Sequence, residues 1–155
     1  MVHDLHPPDF YAGAFRHAID EKNRITIRAQ WRRKGEEAKG EDFIMLPGPQ
    51  LQYLLVMRPD EFAQMTADAE NSSTITPSEA RKFLRQVHAR AQLASSDKQG
   101  RLVLPEEMCG LLKLKGEVML VGGRGRFEVW NLQKWKEAYE QETATFDRVS
   151  DAIGL

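Results

Sequence analysis

The chain has 155 residues, 41% hydrophobic and 29% charged, with a net charge of −1. Such a composition describes a globular fold of one ordinary domain or two very small ones. It excludes a membrane-spanning helix, since no run of about eighteen apolar residues occurs, and the single cysteine, Cys109, excludes an internal disulfide. The opening "MVHDLHPPDF" has no basic segment followed by an apolar one, so it does not read as a signal peptide. With the cysteine usage, this predicts a reducing, cytoplasmic setting.

In chain order, His3, Asp4 and His6 come first. Their spacing matches no metal-ligand pattern, so no metal and no cofactor are expected. Next, Glu21-Lys22-Asn23 reads as a three-residue hairpin loop. That register sets Asp20 opposite Arg24, Ile19 opposite Ile25, Ala18 opposite Thr26 and His17 opposite Ile27. One face then holds Phe15, His17, Ile19, Ile25 and Ile27, and the other Arg16, Ala18, Asp20, Arg24, Thr26 and Arg28. The last loop residue must be left-handed, which Asn23 tolerates. Strands at 44–46 and 54–56 flank Pro47-Gly48-Pro49, and Asn71-Ser72-Ser73 is the linker candidate. Thr76, Pro77 and Glu79 form a capping-box signal for a connecting helix over 77–90, with Ala80, Phe83, Leu84 and Val87 at helical spacing.

From there the chain repeats itself. "DEKNR" (20–24) returns as "DKQGR" (97–101), "DFIML" (42–46) as "EVMLV" (117–121), and "VMRPDEF" (56–62) as "VWNLQKW" (129–135). The order of pieces is kept while loop lengths change. Each copy reads strand, hairpin turn, strand, short helix, strand, turn, strand, short helix. Gly100 takes the left-handed place of Asn23, although Ser96 falls opposite Leu102 and sorts poorly. The second long hairpin turns around Gly122, Gly123 and Gly125; "GGRGR" there lacks the Gly-Lys-Ser/Thr end of a phosphate-binding loop. Trp31, Trp130 and Trp135 could stack on bases, with packing the default for the latter two. The acidic tail after Trp135 reads as a solvated helix or a contact to a neighbouring subunit.

Charge is unevenly placed. Residues 14–34 carry seven Lys or Arg against two acids, residues 81–105 six against one, and residues 136–151 five acids against two bases. Local fields attract phosphate even where the total charge does not. In each hairpin tip the aspartate can aim a planar guanidinium outward, and a two-stranded ribbon fits the DNA major groove. The candidate contacts are therefore Arg24, Arg101, Asp20, Asp97, Lys22, Lys98, Arg16 and Arg28. The bland alternative is an ordinary cross-strand ion pair at each tip. No nucleophile–base arrangement has local support, so no enzyme is expected.

Through "YAG" (11–13), the two Asp-x-x-x-Arg motifs, "DKQGRLVLP" (97–105) and "VMLVGGRGRFEVWNLQKW" (118–135), the chain resembles the MraZ family of bacterial transcription regulators over roughly residues 10–140. The resemblance implies an α+β fold of two tandem swapped-hairpin modules of the SpoVT-AbrB type, interlacing into one pseudo-two-fold small β-barrel with flanking helices. Its parts would be module one (12–62), a linker and connecting helix (63–90), module two (91–136) and a C-terminal helical tail (137–155). It further implies a ring-shaped homo-oligomer, cytoplasmic and nucleoid-associated, with double-stranded DNA as partner and neither membrane nor small-molecule substrate. The tips would bind short direct repeats upstream of the division and cell-wall gene cluster, including the protein's own gene, with Asp20, Arg24, Asp97 and Arg101 in the DNA-contacting motif. Two departures stand out: Asn23 where the family pattern has Gly, and Arg28 where it has Pro, as copy two does at Pro105. The alternative reading is an antitoxin-like module that binds a protein partner.

Overall fold

A computed structural model describes residues 10–32 and 40–155. The first copy contributes β1 (Ala14–Ala18), β2 (Arg24–Thr26), a 3-10 turn (Ala29–Trp31), β3 (Asp42–Pro47), β4 (Leu54–Met57) and α1 (Pro59–Glu70). The connecting helix is α2 (Pro77–Arg90). The second copy contributes β5 (Gln92–Ser95), β6 (Arg101–Val103), α3 (Glu106–Leu112), β7 (Glu117–Val121), β8 (Arg126–Asn131) and α4 (Leu132–Ile153).

The strands form an antiparallel six-stranded sheet in the order β1-β7-β8-β4-β3-β5 and a separate ribbon, β2-β6. Exchanging each strand for its counterpart in the other copy reverses the six-stranded order and leaves the ribbon unchanged. The registers obey the same exchange: Ala18 lies opposite Glu117 as Ser95 lies opposite Asp42, and Arg24 lies opposite Val103 as Arg101 lies opposite Thr26. The two copies therefore share one sheet, each lending an edge strand to the other's hairpin.

This pairing corrects the first-hairpin register. Asp20 and Arg24 do face each other, with the Asp20 N–H donating to the Arg24 carbonyl at 3.1 Å. Beyond them the strands part. Ile19 N–H goes to the Gly116 carbonyl, β1 runs on along β7 and β2 along β6. Residues expected opposite each other, Ala18 and Thr26 or His17 and Ile27, thus take partners in the other copy. The inward–outward alternation survives because side-chain parity has period two whatever the partner: Ile19, Ile25 and Ile27 are buried and Arg16, Ala18 and Thr26 are exposed, but the outward residues of β1 and β2 no longer share one face. Ser96 is resolved the same way. It is buried, pairs with Glu41 through the backbone, and its hydroxyl accepts the Glu41 N–H at 2.9 Å.

The fold is α+β, but the expected closed barrel is not formed among the described residues: the sheet is open, with β1 and β5 at its edges. Its two faces pack separately. Phe43, Met45, Leu54, Val56, Val118, Leu120, Phe127 and Val129 meet the ribbon residues Ile25 and Leu102, with Trp31 and Leu112, in the main core. Burial of a side chain such as Leu102 stabilises by about 1.5–3 kcal/mol. Leu46, Leu55 and Met57 on the opposite face lie against Val87 of α2 and Phe62 and Met65 of α1. The connecting helix has its expected bounds and capping box: Glu79 N–H donates to Thr76 Oγ1 at 3.1 Å, and Thr76 N–H to Glu79 Oε1 at 2.8 Å. Of its four apolar positions, Ala80 and Val87 are buried, whereas Phe83 is exposed.

The last element departs from expectation. A short helix followed by a separate tail is replaced by one 22-residue helix, capped at Asn131 and ended by Gly154 at φ +74°. Asn131 Oδ1 accepts the Lys134 N–H at 3.0 Å. No described helix is long and apolar enough to cross a membrane.

Candidate nucleic-acid interface

Each tip is built on its aspartate. Asp20 Oδ1 accepts the backbone N–H groups of Lys22 (2.9 Å) and Arg24 (2.8 Å), and Oδ2 accepts the Arg24 Nε–H at 2.7 Å. Asp97 repeats this with Gln99 (2.9 Å), Arg101 (2.9 Å) and the Arg101 Nε–H (2.6 Å). The third loop residue is left-handed in both, Asn23 at φ 59° and Gly100 at φ 81°. Each tip is also tied to the other copy: Leu104 N–H donates to the Asn23 carbonyl and Ile27 N–H to the Gly100 carbonyl, both at 2.8 Å. The hydrogen bonds from Arg24 and Arg101 backbone N–H, then from their side chains, hold both carboxyls below the usual carboxylate range. Both aspartates are therefore charged at neutral pH. Each tip pair is close to electroneutral, so its contribution to recognition is directional rather than long-ranged.

The ribbon register decides where the arginines point. Arg24 opposes Val103 and Thr26 opposes Arg101, while Ile25 and Leu102 form the middle pair. Alternation sends Ile25 and Leu102 into the core, where both are fully buried, and sends Arg24, Thr26, Arg101 and Val103 to the other face. Arg24 and Arg101 are diagonal neighbours on that face, about 7–8 Å apart. Their side chains are 32% and 44% exposed, so neither is tucked under its neighbours. With Nε committed to the aspartate, the Nη groups have no hydrogen-bond partner among the described residues. The result is one small face with two aimed guanidiniums, a hydroxyl and an isopropyl group.

The other candidates are placed differently. Lys22 and Lys98 are exposed on the loops but not equivalent, because Lys98 occupies the position of Glu21 and Lys22 that of Gln99. Arg16 does not share the ribbon face. It opposes Met119 on β7, while the flanking Val118 and Leu120 face the ribbon, so Arg16 lies on the far side of the sheet, where its Nε–H donates to Glu117 Oε2 at 3.1 Å. Arg28 folds back, with its guanidinium carbon 3.5 Å from the centroid of the Phe15 ring. Trp31 is buried and donates its indole N–H to the Ala12 carbonyl at 2.9 Å, which removes it as a stacking surface. Trp130 is buried too, stacked on Tyr53 and edge-on to Trp135. The His3, Asp4 and His6 group lies outside the described residues.

Sequence reasoning missed Arg32. Its Nε and Nη1 lie 2.9 Å from where a side-chain carbon on Gly100 would sit. The first copy thus lends a cation to the second tip, and the residue at the matching offset in copy two is Cys109. The alternation along β2 places Thr26 beside Arg24, but Val103 was missed as a member of the face. No local motif marks Val103; only the cross-copy pairing does.

A family model described as "MraZ protein, putative antitoxin-like" matches residues 10–86 and again residues 88–153. The chain belongs to the MraZ family. The two matches meet at Val87, in the last turn of α2. A protein of Desulforamulus reducens named "Transcriptional regulator MraZ" is 32% identical over 144 residues, covering 92% of this chain and 96% of its own. A Thermomicrobium roseum protein of the same name is 33% identical over 125 residues, covering 81% and 84%. One from Clostridium tetani, again so named, is 28% identical over 143 residues, covering 92% and 96%.

Proposed function

We propose that this chain is a transcriptional regulator that binds double-stranded DNA sequence-specifically through the exposed face of its β2-β6 ribbon. The observation that carries the reading is the pair of partly exposed guanidiniums on that face, each held through Nε by an aspartate. A ribbon of this width fits the major groove, Arg pairs bidentately with guanine O6 and N7, and the methyl groups of Thr26 and Val103 suit a thymine methyl. Lys22, Lys98 and Arg32 supply phosphate contacts around it. The naming of the relatives supports regulation of transcription. In this reading the chain works in the cytoplasm at the nucleoid. Several copies in a ring set their faces on successive short direct repeats upstream of the division and cell-wall gene cluster, which includes the protein's own gene. A swapped-hairpin module of the SpoVT-AbrB type is the natural description of each copy, since strands from each complete the other's sheet.

Fluorescence anisotropy on the DNA upstream of the gene, against a scrambled duplex and at several salt concentrations, tests this. Arg24→Ala should weaken specific binding by ~1–3 kcal/mol, about 5- to 150-fold, if the side chain reads a base. If it contacts phosphate alone, loss should be equal on both duplexes and the salt slope should fall by about 1. An Arg24→Ala, Arg101→Ala double variant that binds as the parent does would refute the assignment. The family description favours a second reading, an antitoxin-like module that binds a protein. Recovery of one stoichiometric protein partner, with no affinity for DNA, would replace the first reading by the second.

A further inference from the structure

Helix α4 is longer than its packing requires. Its first turns rest on the sheet, with Trp135 edge-on to Trp130 at 5.5 Å. Beyond Ala138 it buries nothing: Tyr139 and Phe146 are each 63% exposed and Ile153 is 71% exposed. These residues are not scattered. Trp135, Tyr139, Glu142, Phe146, Val149 and Ile153 are spaced 4, 3, 4, 3 and 4, the seam of a heptad repeat with one acidic position. The seam is flanked by Ala138, Thr143, Thr145 and Ala152, small side chains that let another surface come close. An isolated helix of about fifteen residues is marginal in water without such a surface.

The same chain carries a surface of the opposite character. On the outer side of the β3-β4 hairpin, against α2 and α3, lies a groove of about 1030 Å³ that α4 of the same chain does not line. Its walls include Leu46, Leu55 and Met65, together with Phe83 (46% exposed) and Leu111, which is also exposed. Lys82, Arg90 and Arg126 stand along it, with Glu107 the one acid. Helix α2 carries Arg81, Lys82, Arg85 and Arg90 against Glu79 alone, whereas α4 carries five acids against Lys134, Lys136 and Arg148. Charge therefore decides the pairing. Two α4 seams face to face would bring like-charged helices together, while the groove sets the acidic helix against a basic one.

We infer that the α4 seam of one copy docks in the α2/β3-β4 groove of the next, its acidic flank toward Lys82 and Arg90. The inference rests on the self-assembly proposed above and names the contact that makes it. Two different patches meet, so the contact is head-to-tail and repeats until a ring closes.

Light scattering on the parent, Phe146→Glu and Phe83→Glu tests it, with thermal melts as a check on folding. Both substituted side chains are exposed in the single chain, so both variants should still unfold in one cooperative transition, at a lower temperature than the parent only by what assembly contributes. Each should fall from the assembled mass to that of one chain, 17.7 kDa. Phe146→Glu keeps a good groove and Phe83→Glu a good helix, so an equimolar mixture should recover one contact and twice the single-chain mass. A parent that is itself a single chain would overturn the self-assembly reading, and this inference with it. An assembled parent whose variants both keep its mass would overturn the docking alone. Loss of assembly in Phe146→Glu only would mean that seam meets seam, and would also overturn it.

Discussion

Gly100→Ala isolates what the second tip demands of its backbone. Gly100 sits at φ 81°, where a residue with a Cβ pays roughly 1–2 kcal/mol. The new methyl would also lie 2.9 Å from Arg32 Nε and Nη1. Its closest contact is Arg32 Cδ, and the Arg32 Nε is buried, so displacing that side chain adds to the conformational cost. For a chain of this length the melting temperature should fall by about 2–8 °C, measured by differential scanning calorimetry or by circular dichroism. The backbone bonds that Gly100 makes, to the Asp97 carbonyl at 3.0 Å and from Ile27 at 2.8 Å, do not let the tip relax to a negative φ without losing them. The comparison is Asn23→Gly in the first tip, which keeps its left-handed conformation and should stay within about 0.5 kcal/mol of the parent. Equal stability of Gly100→Ala and the parent would refute the reasoning, because it would mean that the tip does not hold this conformation.

His17 should make stability pH-dependent. Its Nε2 accepts the Thr26 N–H at 3.0 Å, which only the neutral ring can do, and burial lowers its pKa against the opposing pull of Asp20. The unfolded chain then takes up the proton first, near the ordinary value of about 6.5, so stability is complete above that pH and declines as pH falls through the window below it. Urea midpoints at pH 7.5 and 5.5 should differ more in the parent than in His17→Asn, and equal differences would count against the assignment. Trp31→Ala should cost ~3–5 kcal/mol, since the indole is buried among Tyr11, Phe15 and Phe127. Chemical denaturation checks this, and a loss under about 1 kcal/mol would mean the ring is not core.

Much of the site was legible in the chain itself. Asp-x-x-x-Arg with a left-handed-tolerant residue before the arginine specifies its own turn, because every hydrogen bond to the tip's aspartate carboxylate spans four residues or fewer. The connecting helix was equally local, its capping box and proline lying within four positions. Period-two alternation separated Ile25 and Leu102 from Arg24 and Arg101 even though the strand partners were misassigned. What local reasoning could not reach was the partner of each strand. A hairpin with a three-residue loop predicts its own two arms paired, and nothing within either arm says that β1 belongs to β7 and β2 to β6.

That exchange is a property of the whole chain. It brings Arg24 and Arg101, 77 positions apart, onto one face of a three-residue ribbon, carries Arg16 to the far side of the sheet, folds Arg28 onto Phe15 and lays Arg32 against Gly100. Sequence alone determined the turns, the helix caps and which side chains face inward, since these depend on backbone sterics and periodicity over a few residues. Tertiary structure decided which surfaces those residues share, since burying both faces of a sheet made from two short copies requires each copy to complete the other.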